Sequence, residues 1–135
     1  MQHQVTISFI QTAQRISHEI TKQLAPLDIT AQQLKVLNIA YESDNQQATV
    51  NEIKANMLDP NSNVSRLLNK LSDKKWIKKI KHDDDQRIVY IKITNAGIKQ
   101  MCKGKINMDK AMNCMKNLTQ TDITNLHRIL NKIDI

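Results

Sequence analysis

The chain has 135 residues, 40% of them hydrophobic and 24% charged, which is the composition of one folded domain, or one domain with helical extensions, and excludes a disordered chain. Its 20 Lys and Arg outnumber its 13 Asp and Glu, giving a formal charge of +7, and no apolar run approaches the ~18–20 residues a membrane span needs. The N-terminus lacks the charged-then-apolar order of a secretion signal, and Cys102 and Cys114 fall in a stretch that reads as one helix, too far apart along it to pair, so a cytoplasmic protein without a disulfide scaffold or membrane partner is expected.

The first helix is expected from about residue 4 to 24. Val5, Phe9, Ala13, Ile16, Ile20 and Leu24 recur at three- and four-residue spacings and make one apolar stripe, which Pro26 ends. Thr30 with Gln33 three residues later predicts a capping box, and Ile29 with Leu34 a hydrophobic staple, at the start of a second helix whose inward face is Leu34, Leu37 and Tyr41. A polar loop follows at 42–47, then a β-like stretch at 48–50. A short helix is expected at 52–58, capped by Thr49 or Asn51. Asp59-Pro60 reads as the start of the next helix, with Asp as cap and Pro at the first helical position. That helix should reach about Lys74. Val64, Leu67, Leu68 and Leu71 form its buried face, and Asn63, Ser65, Arg66, Asn69 and Lys70 lie off it.

Residues 76–81 mix apolar and cationic positions, 82–87 are polar, and 88–94 alternate, with Val89, Ile91 and Ile93 on one side and Tyr90 and Lys92 on the other. Two strands about a polar connection predict a hairpin. A long helix is expected at 95–117, with Ile98, Met101, Met108, Met112 and Met115 near one face, a stripe that reads as core packing rather than a ligand box. Gly104 weakens such a helix by ~1 kcal/mol relative to Ala. Thr119 with Asp122, flanked by Leu118 and Ile123, restarts a final helix whose stripe is Ile123, Leu126, Leu130 and Ile133.

The charge is not spread evenly. Residues 61–94 hold nine cations (Arg66, Lys70, Lys74, Lys75, Lys78, Lys79, Lys81, Arg87, Lys92) against four acids (Asp73, Asp83, Asp84, Asp85), so nine minus four gives +5 of the net +7. A localised basic segment is the electrostatic footprint of a polyanion-binding face. His3, His18, His82 and His127 have no metal-ligand spacing. No nucleophile motif, phosphate-binding glycine loop or zinc-protease motif is present, so neither an enzyme nor a cofactor is expected.

Three segments resemble the MarR family, the multiple-antibiotic-resistance regulators. Asp85-Gln86-Arg87, the strand at 88–91 and Ile93-Thr94-Asn95-Ala96-Gly97 are similar to the family's D-x-R, strand and L-T-x-x-G, with Ile93 in the Leu place. Ile29-Thr30-Ala31-Gln32-Gln33-Leu34 resembles its L-T-x-x-Q helix entry. Asn63-Val64-Ser65-Arg66-Leu67-Leu68-Asn69-Lys70-Leu71 resembles the T-V-T-R-L-V-D-R-L of its recognition helix. The resemblance spans residues 29–97. The chain departs from it at Trp76, where a Gly usually follows the recognition helix, at Asn69, which replaces a common Asp, and at Asp59-Pro60-Asn61, which replaces a Ser-led cap.

The resemblance implies a mainly α fold with a small β-wing, in which a winged helix-turn-helix at 29–97 is flanked by an N-terminal dimerisation helix at 1–28 and C-terminal dimerisation helices at 98–135. It implies a homodimer that binds a near-palindromic operator in double-stranded DNA as a transcription regulator, a repressor released by a small-molecule effector of unspecified identity. Asn61, Ser62, Asn63, Ser65, Arg66, Asn69 and Lys70 are then the recognition-helix residues that meet DNA. Lys78, Lys79 and Lys81 are phosphate contacts from the wing. Arg87 enters a minor groove, its guanidinium oriented by Asp85. Two other readings are a winged helix used for protein contacts and a redox-responsive regulator using Cys102 or Cys114, although relatives of the second kind carry the reactive cysteine in the first helix and this chain has none there.

Overall fold

The computed structural model describes residues 1–82 and 85–135, and of His82, Asp85 and Gln86 only the backbone. In chain order the elements are α1 (Gln2–Leu24), a 3₁₀ turn (Ala25–Leu27), α2 (Ala31–Glu42), a second 3₁₀ turn (Asp44–Gln46), β1 (Gln47–Thr49), α3 (Val50–Ala55), α4 (Val64–Asp73), β2 (Ile77–His82), β3 (Asp85–Ile93), α5 (Asn95–Ala111), a third 3₁₀ turn (Met112–Met115) and α6 (Gln120–Leu130). The fold is mainly helical with one antiparallel sheet in the order β1-β3-β2, as expected. The β-like stretch is a true third strand: Gln47, Ala48 and Thr49 pair with Lys92, Ile91 and Tyr90.

Helix starts follow the caps legible in the sequence. Thr30 Oγ1 accepts the Gln33 N–H at 3.1 Å while Gln33 Oε1 accepts the Thr30 N–H at 3.1 Å. Thr119 and Asp122 form the same reciprocal pair. Thr49, not Asn51, caps α3, with Glu52 as partner. The Asn56 side-chain amide donates to the Glu52 carbonyl at 2.8 Å, and α3 ends at Ala55 instead of reaching Leu58.

Four expectations are corrected. Asp59-Pro60 does not open α4. The Ser62 N–H donates to the Asp59 carbonyl and the Asn61 N–H to Asp59 Oδ1, so Asp-Pro builds a tight turn. Asn63 then caps the helix, its Oδ1 accepting the Arg66 N–H at 3.1 Å. The long helix stops at Ala111, ahead of the weak helix formers Asn113, Cys114 and Asn117. Cys102 is therefore on α5 and Cys114 in the following 3₁₀ turn, both exposed free thiols, not on one α-helix. Tyr41 does not face inward. Ala40 takes that place, and Tyr41 is 38% exposed with Lys105 Nζ 5.9 Å from its ring. The residue that needs a left-handed backbone after α4 is Lys75 (φ 62°), not Trp76. The Trp76 N–H returns to the Leu71 carbonyl at 3.1 Å and the Lys75 N–H to Ser72 at 2.9 Å, a Schellman ending.

The core lies where α2, α4, α5 and the sheet meet, with Val36, Leu37, Ile53, Leu71, Ile91 and Met101 fully buried. Two glycines mark close approaches. A Cβ at Gly97 would stand 2.2 Å from the Trp76 carbonyl oxygen, because the start of α5 presses on the entry to β2. A Cβ at Gly104 would stand 2.8 Å from Leu34 Cδ1. Gly104 is thus no break in α5 but the point where it seats on α2. The terminal elements are different. The N-terminal half of α1 leaves Val5, Ile7, Phe9 and Ile10 exposed, and α6 buries none of its residues.

Candidate nucleic-acid interface

Val64, Leu68 and Leu71 anchor one side of α4 in the core. That fixes the other side outward, and Ser65, Arg66, Asn69 and Lys70 are all exposed on it. Asn61 and Ser62 precede the helix, Asn61 exposed and Ser62 half-buried in the turn after Asp59. Asn63 is exposed, but its carbonyl oxygen already serves as the cap, so its amide group is the part left for an outside partner.

The register decides which wing residues share a face. Side chains directly opposite one another in an antiparallel pair lie on the same side. Lys79 stands opposite Ile91 and Lys81 opposite Val89, on the face that packs toward α4. Lys79 Nζ indeed donates to Asn69 Oδ1 on α4 at 2.8 Å. Lys78 stands opposite Lys92, on the other face, with Gln47 beyond it in β1. Lys92 there donates to the Asn45 carbonyl at 3.1 Å. The three lysines grouped from sequence are therefore split two to one.

Arg87 is exposed and lies within β3 rather than in the connection between the strands. The pairing jumps from Lys81↔Val89 to His82↔Asp85, so Gln86, Arg87 and Ile88 occupy an irregular stretch of the strand. The Asp85 side chain lies outside the described residues, and with it the orienting contact to Arg87; Asp83 and Asp84 lie outside them altogether.

A cavity of about 400 Å³ opens between α2 and α5, under the turn that leads into α4. Lys35, Asn38 and Glu42 line it from α2, Lys105, Met108 and Asp109 from α5, and Leu58 from the turn. Behind this wall Asn38 Oδ1 is buried without a hydrogen-bond partner. Sequence reasoning missed this site. Lys35, Asn38 and Glu42 are spaced three and four apart, a pattern that also describes any solvated helix face, and Leu58 looked like the end of a helix. Lys74 was also missed. In the sequence it stands out only as charge, yet its Nζ reaches Asp28 at the joint between α1 and α2.

The match to known proteins follows this architecture. The family model described as transcriptional regulator SarA/Rot covers residues 15–104. The multiple antibiotic resistance protein MarR of Escherichia coli is 31% identical over 117 residues, 84% of this chain and 79% of that protein. The chain belongs to the MarR family. Among solved structures of MarR-family regulators, AbsC of Streptomyces coelicolor superposes with a TM-score of 0.86 at 16% identity, over 95% of this chain and 88% of that one. A mutant of Escherichia coli MarR, solved in complex with operator DNA, superposes with a TM-score of 0.79 at 26% identity, over 95% and 91%. As a MarR-family regulator the chain keeps the winged-helix architecture while placing Lys75, not a glycine, at the end of α4. Among the described residues no helix is long and apolar enough to cross a membrane.

Proposed function

We infer that the protein is a sequence-specific DNA-binding transcription regulator acting as a homodimer in the cytoplasm. The observation that carries this is the Lys79–Asn69 hydrogen bond, which brings the basic strand β2 against the exposed polar face of α4. One surface thereby offers groups that read base edges and cations that hold phosphates. Arg66 is the residue suited to a guanine, through two parallel N–H donors. Ser65, Asn69 and Lys70 adjoin it, and the Asn63 amide, Asn61 and Ser62 lie at the end of the helix that enters the groove. Lys79 and Lys81 take phosphates, with Lys78 more distant on the other face. Arg87 reaches from the wing toward a minor groove.

Residues 29–97 form the DNA-binding unit in this reading, and 1–28 and 98–135 supply the dimer contacts. Two such units on a two-fold axis read a near-palindromic operator. Regulation by a small molecule is supported by the α2–α5 cavity, whose walls mix the apolar Leu34, Leu58 and Met108 with the charged Lys35, Glu42, Lys105 and Asp109. Release of a repressor is the outcome this arrangement favours, because Leu58 joins the cavity wall to the turn before α4.

The test is a titration of the operator, selected from random duplexes, and of its single-base mismatches. Arg66→Ala should cost ~1–3 kcal/mol and abolish discrimination at one base pair per half-site. If selection enriches no sequence, or Arg66→Ala binds every duplex as the parent does, α4 does not read DNA and a protein-contact role replaces this one.

A further inference from the structure

The last carbonyls of a helix lack partners within it. At the joint between α1 and α2, several are taken by side chains from far along the chain. Asn107 of α5 donates to the Gln23 carbonyl at 2.8 Å, and Gln100 of α5 to the Leu27 carbonyl at 2.6 Å. The third clamp comes from elsewhere. Lys74, the residue that caps the end of α4, donates from Nζ to the Asp28 carbonyl and lies 3.2 Å from Asp28 Oδ2. The same ammonium sits 4.6 Å from the centre of the Trp76 ring. Asp28 is the hinge residue of the joint, in the left-handed region at φ 52°, ψ 41°.

An exposed ion pair by itself contributes little. The Lys74 side chain is 28% exposed and that of Asp28 93%, and what sets this contact apart is that one ammonium holds a backbone oxygen, a carboxylate and an aromatic face at once. It is a direct bond between the residue that ends α4 and Asp28, which follows the 3₁₀ turn that continues α1, the helix whose other end carries the exposed Val5, Phe9 and Ile10.

We propose that Lys74 is the positioning residue that fixes α4 against the α1 arm, and thereby sets the half-site spacing the dimer accepts. This rests on the dimeric DNA-binding reading above. The physical reason is geometric. Moving one half-site by one base pair shifts it about 3.4 Å along the axis and turns it by about 35°. A dimer whose two recognition helices are tied to the arms that join it cannot follow such a move. A dimer with that tie cut keeps α4 seated in the core through Val64, Leu68 and Leu71 but frees its C-terminal end to follow the move.

The experiment measures affinity for the selected operator and for duplexes in which its half-sites are one base pair closer or further apart. The parent should prefer its own spacing by about tenfold or more. Lys74→Met keeps the aliphatic stem on Trp76 and loses both oxygen contacts, and its preference should fall to about twofold at unchanged affinity for an isolated half-site. Lys74→Arg, which can donate to both oxygens and stack on the ring, should restore it. Asp28→Asn tolerates the same left-handed backbone and removes only the ion pair; it should give an intermediate preference, and it decides the matter if Lys74→Met does not fold. Equal weakening at every spacing by folded Lys74→Met, or by Asp28→Asn in its place, would show a merely structural role and overturn the proposal. A parent that binds no duplex overturns the DNA-binding reading, and this inference with it. A parent that selects one spacing, with Lys74→Met selecting it equally well, overturns this inference alone.

Discussion

Lys75 holds a backbone conformation that most helices give to glycine. Its φ of 62° lets the chain turn from α4 into β2, and the two returning hydrogen bonds to Leu71 and Ser72 close the helix end. An L-residue there carries a steric cost between its Cβ and the following carbonyl. Lys75→Gly should therefore stabilise the protein by about 0.5–1 kcal/mol, the relief of strain being partly offset by the freer unfolded chain. A higher denaturant midpoint at unchanged slope is the expected result, and no gain would mean that the turn is not strained. The family pattern pointed to this turn but one residue late, at Trp76, because a sequence shows that a glycine is missing without showing which residue bends. Asn63 teaches the same lesson. Asp59-Pro60 reads as the helix start, but Asp59 accepts from Asn61 and Ser62 in a tight turn and the cap falls to Asn63.

At the scale of elements, the wing is where alternation misled. Ile77, Lys79 and Lys81 share one face of β2, Lys78 and Ile80 the other, so cations and apolar residues occur on both. Residues 76–81 alone do not say which lysines meet DNA. The partner strand decides, since β3 puts Ile91 and Ile93 in the core and carries Lys79 and Lys81 with them to the α4 side. Removing Lys79 or Lys81 as alanine variants should lower the slope of log affinity against log salt by about one unit per contact in each protomer. Lys78→Ala should change it less. The same titration run at several salt concentrations compares all three, and equal slopes for the three variants would show that the two faces of the wing are equivalent toward DNA.

For the whole molecule, the question is what covers the ends. α6 is capped at Thr119 and Asp122 as well as any helix in the chain, yet Ile123, Ile129, Leu130 and Ile133 are each at least 40% exposed. Burial of such side chains is worth roughly 25 cal/mol per Å², and this protomer forgoes it over the part of each that stays open. α1 repeats the pattern with Val5, Ile7, Phe9 and Ile10. A second copy is the partner proposed for both. Deleting 119–135 should give monomers or aggregates in light scattering, with loss of operator binding at concentrations where the parent binds. A truncated chain that remains a dimer would move the interface to α1 or α5.

What the sequence determined by itself is local. Thr30 with Gln33 and Thr119 with Asp122 place two helix starts through hydrogen bonds spanning three residues. The apolar positions Val64, Leu68 and Leu71 place the buried side of α4, because helix geometry alone turns Ser65, Arg66 and Asn69 away from it. The tertiary structure decided everything that depends on a second element. It chose Asn63 over Asp59, separated Lys78 from Lys79 and Lys81, put a left-handed turn on Lys75, and opened a cavity between α2 and α5. It also joined Lys74 to Asp28 across 46 residues of chain. A cap reads its neighbours along the backbone. A strand register, a cavity and a long-range clamp exist only once packing has brought distant segments together.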